Sequence, residues 1–258
     1  MQKKELLAEK VRHIDIKSFD STPIIESMEG MSFTSRDTAR AAHLLHRMVK
    51  DPECTVILTL AGSTGAAGCL QVYVNMIRSG MVDAVVATGA SVVDMDFFEA
   101  LGFNHYKGTP HVDDGMLRDL YIDRIYDTYI DEKQLQECDM TIRKIADKMR
   151  PGVYSSREFI CEMGRFLSGM KKSKDSLVLA AYEMDVPVFC PAFSDSSAGF
   201  GLVKHQWDSP ESHVSIDSVK DFRELTMIKM QAPVSGLFMI CLLYTSPSPR
   251  DRTRSRMP

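Results

Sequence analysis

Three stretches of this sequence have the residue types and spacing to do chemistry, and each follows an apolar run. Gly62-Ser63-Thr64-Gly65-Ala66-Ala67-Gly68 comes after Val56, Ile57, Leu58 and Leu60 and leads into a helical pattern. Backbone amides and a helix N-terminus converging on one point attract a phosphate. Thr88-Gly89-Ala90-Ser91 closes the run that starts at Val82, with Asp94 and Asp96 just beyond. Two carboxylates there would hold a cation beside the phosphate, although acids at a helix start also gain from the helix dipole alone. Ser194-Asp195-Ser196-Ser197-Ala198-Gly199 follows the apolar run Val186 to Cys190.

Taken singly, each stretch has a plainer explanation. The first loop is neither G-x-G-x-x-G nor a P-loop, and glycines there would equally serve tight packing of strand against helix. Three polar turns at strand carboxyl ends converge in a parallel sheet, however, and this favours a nucleotide or dinucleotide site. His43 and His46 lie three apart but lack a thiol or carboxylate at ligand spacing, so no metal site is expected. His105, His111, His205 and His213 are isolated, Cys190 beside Pro191 reads as a core thiol, and Asp113-Asp114 reads as a solvated rim.

These turns need a scaffold, and the chain supplies one. Thr34 caps a helix from Ser35 to Lys50, with Asp37 at its third position and Ala41, Leu44, Leu45 and Met48 on the face that covers the first strand. Residues 109–124 form an acidic insertion on the sheet rim. Helices follow at Leu135 to Met149, from Ser155 or Ser156 to Phe166, at Asp175 to Met184 and at Asp217 to Lys229, with strands at Val186 to Cys190 and Gly236 to Ile240. The stretch up to Lys17 is expected to be a short helix or an arm docking on a partner subunit. Helix alternating with apolar strand predicts an α/β fold, a doubly wound, mostly parallel Rossmann-like sheet with helices on both faces. One domain over residues 1–240 is expected.

Bulk properties narrow the function. The chain has 258 residues, is 44% hydrophobic and carries a formal charge of −4. Residues 241–258 hold four arginines against Asp251, which leaves −7 on the rest. An acidic body speaks against nucleic acid and for cationic small molecules. Six scattered cysteines without a C-x-x-C pair suit reduced thiols and a cytoplasmic location. The apolar run Gly236 to Tyr244 falls well short of the ~20 residues that a membrane helix needs. The closing CLLYTSPSPRDRTRSRMP, with prolines at 247, 249 and 258, cannot pack and is similar to translated sequencing-adapter read-through. Residues 241–258 are therefore expected to be a non-native disordered tail, the alternative being a basic tail for an acidic partner.

Residues 24–240 resemble deoxyhypusine synthase, and more closely its bacterial deoxyhypusine synthase-like branch. The resemblance rests on Met81-Val82-Asp83, Val85-Val86-Ala87-Thr88-Gly89-Ala90, Asp123-Arg124-Ile125, Ser155-Ser156-Arg157-Glu158, Val186-Pro187-Val188-Phe189-Cys190-Pro191-Ala192-Phe193-Ser194-Asp195 and Ser215-Ile216-Asp217-Ser218-Val219. It implies an NAD-dependent homotetramer that moves the aminobutyl group of spermidine to an amine acceptor. Hydride removal beside a polyamine nitrogen gives an imine, an enzyme lysine captures it as a Schiff base, and the hydride later returns, so NAD is not consumed. Carried over by position, Gly62, Ser63, Thr64, Gly65, Ala66, Thr88, Gly89, Ala90 and Asp195 contact NAD. Asp94 is shared between cofactor and polyamine, and Asp96 joins it as a substrate acid.

The chain departs from the protein-modifying members in three places. Val93-Asp94 stands where they have a Glu-Glu pair, and Phe200 stands where they have a polyamine-binding aspartate. Their glycine run, substrate histidine and Schiff-base lysine fall beyond Ile240, so no catalytic residue is assigned and the chain as given is expected to be inactive. The acceptor, a protein lysine or a small amine, stays open. The alternatives are a small-molecule polyamine enzyme of the homospermidine synthase type, an oxidoreductase releasing reduced cofactor, or a nucleotide-binding fragment without catalysis.

Overall fold

This computed structural model describes residues 2–171, 173 and 175–241, so the expected tail lies outside the described residues except for Cys241. Helices α1 (Lys3–Leu6), α2 (Thr22–Glu29) and α3 (Phe33–Lys50) precede the first strand. β1 (Cys54–Ala61) passes through a π-helical turn (Gly65–Cys69) into α4 (Leu70–Arg78) and β2 (Ala84–Ala87). A π-helical segment (Ala90–Phe97) then continues directly as α5 (Phe98–Ala100). The rim insertion is β3 (Tyr106–Lys107), α6 (Asp114–Asp119), β4 (Ile122–Ile125) and β5 (Thr128–Asp131). The rest runs α7 (Glu132–Ala146), β6 (Gly152–Tyr154), α8 (Ser156–Ser168), α9 (Leu177–Glu183), β7 (Val188–Phe189), a short turn of helix (Phe193–Asp195), α10 (Ala198–Asp208), β8 (Val214–Ile216), α11 (Ser218–Gln231) and β9 (Val234–Cys241).

Four strands make the main sheet, all parallel, in the order β7-β2-β1-β9. β1 pairs β9 along its whole length, from Cys54↔Val234 to Ala61↔Cys241, and meets β2 from Ile57↔Ala84 to Leu60↔Ala87. Successive strands step one way from β1 to β7, then the chain returns to the other side of β1. That reversal makes a crevice at the carboxyl ends of β1 and β9. Right-handed crossovers assign α4 and α9 to one face, where they pack together, and carry the β7-to-β9 connection across the other. The doubly wound α/β architecture read from the sequence is the one found. Ala84, Val85, Val188 and Phe189 are all buried, the near-continuous apolar text of a strand covered on both faces.

The rim insertion has its own antiparallel sheet, β3-β5-β4, over a small core of Leu6, Tyr106, Leu117, Ile122 and Tyr129. The N-terminal stretch therefore docks on its own subunit. Lys10 bridges to Tyr106, the Val11 amide donates to the His105 carbonyl at 2.9 Å, and the Ile14 amide donates to the Gly68 carbonyl at 3.0 Å. Gly68 permits this crossing: its φ is +104°, and a Cβ there would sit 2.8 Å from the Arg12 carbonyl oxygen.

Two local expectations change. Ser32, not Thr34, is the N-cap of α3, and Ala41 and Leu44 face solvent. The partly buried Ala42, Leu45, Met48 and Val49 are the side turned inward, one residue round the helix from the expected stripe at Ala41 and Leu44. Helix α10 and the two-stranded parallel sheet β6-β8 were not anticipated, because polar turn text runs straight into α10 and β6 and β8 have only three residues each. Among the described residues, no helix is long and apolar enough to cross a membrane.

Candidate functional site

The strand carboxyl ends enclose a cleft of about 570 Å³ lined by Thr59 to Ala61, Val86 to Ala90, Cys190 to Ala192, Asp195 and Met239 to Cys241. Thr88, Gly89, Ala90 and Asp195 thus reach one cavity from two separate turns. A larger hollow of about 780 Å³, with Ile160, Val178, Phe189 and Met227 in its wall, contains none of the residues assigned to cofactor or substrate from the sequence.

Gly89 caps the helix that starts at Ala90, whose first intrahelical bond runs from the Val92 amide to the Thr88 carbonyl at 3.2 Å. The amides ahead of that bond have no partner within the helix, the feature that makes a helix start an anion cradle. A Cβ on Gly89 would lie 2.2 Å from Ser196 Cβ, so glycine lets the two turns close on each other. The glycine-rich turn is clasped to the same place. Ser91 Oγ donates to the Gly62 carbonyl at 3.4 Å and stands 3.0 Å from Thr88 Oγ1.

Within that turn, Gly62 and Ser63 are partly exposed, whereas Thr64, Gly65 and Ala66 are buried. The side chain of Thr64 is committed inward: Tyr73 Oη donates to its Oγ1 at 2.6 Å, and burial pushes the Tyr73 phenol up to about 12. Tyr73→Phe should cost about 1 kcal/mol, the net worth of one such bond, and a thermal melt measures it. The same substitution should loosen the turn and weaken nucleotide affinity a few-fold in a calorimetric titration.

Asp94 and Asp96 part company. Asp94 is half-buried and accepts a hydrogen bond at Oδ1 from Ser197 Oγ, from the turn ahead of α10. Burial raises its carboxyl above the ordinary value, with the Ser197 bond opposing. Asp96 is 1% exposed, and its oxygens accept the Leu177 and Val178 amides at 2.7 and 2.9 Å. Both oxygens are spent on the first turn of α9, so Asp96 is a helix anchor, and of the pair only Asp94 faces the turn that holds Ser197. Burial pushes the Asp96 carboxyl up to about 7, the two amide bonds opposing.

Beneath Asp94 lies a polar cluster with no signature in the sequence. His13 Nε2 and His105 Nδ1 stand 2.8 and 2.7 Å from the two oxygens of Glu99. Burial alone would raise the Glu99 carboxyl, but these two partners hold it down at about 2. His105 is therefore not isolated: it is fully buried and packs on Phe98 with ring centroids 5.3 Å apart. Nothing in spacing could reveal a group assembled from residues 13, 99 and 105. Cys190 is buried, and burial pushes its thiol up to about 12, which suits a packing role. Ser155-Ser156-Arg157-Glu158 also serves structure. Ser155 and Glu158 form a capping box on α8, while Ser156 Oγ bonds Asp221 at 2.9 Å and accepts the Cys190 amide at 2.7 Å.

Comparison with known proteins adds an independent line. The family model for deoxyhypusine synthase matches residues 23–241. A deoxyhypusine synthase-like protein of Coxiella burnetii is 62% identical over 239 residues, covering 92% of this chain and 68% of that protein. Its counterpart in Caulobacter vibrioides is 59% identical, covering 93% of this chain and 66% of that protein. A solved structure from Entamoeba histolytica bearing the deoxyhypusine synthase name superposes with a TM-score of 0.60 at 14% identity, over 89% of this chain and 78% of that one. At that identity the likeness shows a shared fold.

Proposed function

Because this chain belongs to the deoxyhypusine synthase family, we propose that it is the NAD-holding part of a transferase that moves an aminoalkyl group from a polyamine to an amine acceptor. The observation that carries this reading is the meeting of Thr88, Gly89, Ala90 and Asp195 in one cleft at the β1/β9 reversal, with Asp94 one helical turn further on. The cleft fits a dinucleotide: a helix start for phosphate, an exposed carboxylate at Asp195 for a ribose hydroxyl, and apolar strand ends for a ring. NAD bound there supplies a hydride acceptor for the carbon beside a polyamine nitrogen and later gives the hydride back.

The chain's own residues do the rest. Gly89 and Ala90 present amides, Ser91 fastens the two turns, and Asp94 offers a carboxylate to an ammonium, held in orientation by Ser197. Phe200 is 73% exposed and supplies no charge, so the choice of polyamine differs from that of members with an aspartate there. The acceptor is an amine, either a protein lysine or a small molecule. Exposed Phe200, Val203 and Trp207 on α10 and Val219, Phe222 and Met230 on α11 support assembly into the homotetramer, which light scattering would read as mass.

Calorimetry should show this chain binding NAD at micromolar concentration. A full-length relative incubated with spermidine and NAD, then quenched with borohydride, should gain an aminobutyl mass on one lysine. Unmodified protein across spermidine, putrescine and agmatine would overturn the transfer reading. Net accumulation of NADH would instead favour an ordinary oxidoreductase.

A further inference from the structure

Helix α7 brings a second acid, Asp139, toward Asp94. Cys138 Sγ lies 3.9 Å from the Val93 carbonyl, which seats α7 against the segment that carries Asp94. α10 closes on α7 from the other side: a Cβ on Gly201 would sit 2.4 Å from the Asp139 carbonyl oxygen and 3.1 Å from the Arg143 amide. This contact places Ser197, just ahead of α10, between two carboxylates. Its hydroxyl bonds Asp94 Oδ1 and also acts on Asp139.

Two of the buried polar atoms without a hydrogen-bond partner among the described residues bear on Asp94. One is Asp139 Oδ1, which no solvent reaches. The other is Nε2 of the fully buried His105, an imidazole fixed through Nδ1 by Glu99 and close enough to Asp94 to act on its charge. A buried carboxylate oxygen without a donor is costly, and Asp139 Oδ1 marks a place where a ligand donor completes the set.

We propose that Asp139 is the second carboxylate of the amine site, paired with Asp94 across Ser197 to take one alkylammonium end of a polyamine. This rests on the reading of the cleft as a polyamine site. A primary ammonium has three N–H donors, enough for one oxygen of each aspartate and one more acceptor. Burial raises both carboxyls, and the charge of Asp94 adds to the rise that takes Asp139 up to about 6, so a cation between them would lower both.

The test is calorimetric titration of spermidine into the NAD-loaded chain, wild type against Asp139→Asn, with NAD affinity measured in parallel. The substitution should weaken spermidine at least tenfold and leave NAD within twofold, and Asp139→Glu should recover part of the loss. Equal spermidine affinity in wild type and Asp139→Asn overturns this assignment while leaving the polyamine site standing. Loss of NAD and spermidine affinity together would show that Asp139 only maintains the fold. A wild type that binds NAD but no polyamine overturns the reading of the cleft, and this assignment with it.

Discussion

Replacing Asp96 with alanine should cost roughly 2–6 kcal/mol of folding stability, about 1–3 kcal/mol for each of two buried amides left without an acceptor, and a urea titration would register it as a lowered midpoint. A domain has only about 5–15 kcal/mol in total, so the loss would take a large share of its stability. The alanine leaves the Leu177 and Val178 amides buried without acceptors and opens a void where the carboxylate stood. Helix α9 packs on α4 and α8, so its loosened first turn disturbs the core around Leu177, Val178 and Leu179. The same residue gives stability a pH dependence of defined sign. Its folded carboxyl titrates at about 7 against an ordinary 3.8, so the folded state holds the proton more tightly than the unfolded one. That stabilisation is complete below the ordinary value and is lost as pH rises toward 7. The urea midpoint should therefore increase on acidification from pH 7 to 5.5, and Asp96→Asn should flatten part of the rise. Asp139, raised to about 6, contributes in the same direction. Glu99, held at about 2, opposes only at lower pH. An Asp96→Asn slope equal to wild type would mean the proton sits elsewhere.

Asp96 also shows where reading a sequence stops. Its neighbourhood, a Gly-Ala-Ser turn after a buried strand, was legible because strand, turn and helix start are local patterns. Its partners were not, since Leu177 lies 81 positions away and two residues along a π-helical segment separate a carboxylate facing Ser197 from one facing α9. A regular helix drawn through Ala90–Phe97 would put Asp94 and Asp96 some 200° apart, and only the contacts decide which side holds the ligand. Ser197 was hidden for another reason. It lay in a turn singled out as part of the site but with a role given only to Asp195, and its importance comes from the helix behind it, which Gly201 seats on α7. The parallel α/β class, by contrast, followed from the alternation of helix with short apolar runs, whereas the order β7-β2-β1-β9 came only with the structure.

Gly89→Ala is expected to weaken NAD binding more than tenfold in a calorimetric titration, because the new methyl group occupies the position of Ser196. Its Cβ would lie 2.2 Å from Ser196 Cβ and 2.6 Å from Ser196 Oγ, and real side chains do not approach so closely. Relief requires the Phe193–Asp195 turn to move outward, carrying Asp195 away from Thr88 and Ala90 and opening the cleft. Overpacking of this kind costs about 1–3 kcal/mol, so the protein should still fold and the loss should fall mainly on the ligand. Ser196→Gly removes the clashing atoms and forfeits only the bond from Ser196 Oγ to the Phe193 carbonyl at 2.7 Å. Alone it should cost about 1 kcal/mol of stability and little affinity. Combined with Gly89→Ala it should restore most of the lost affinity, a strong coupling between two residues 107 positions apart in the chain. If the double variant binds NAD no better than Gly89→Ala alone, the cofactor does not depend on how these two turns fit together.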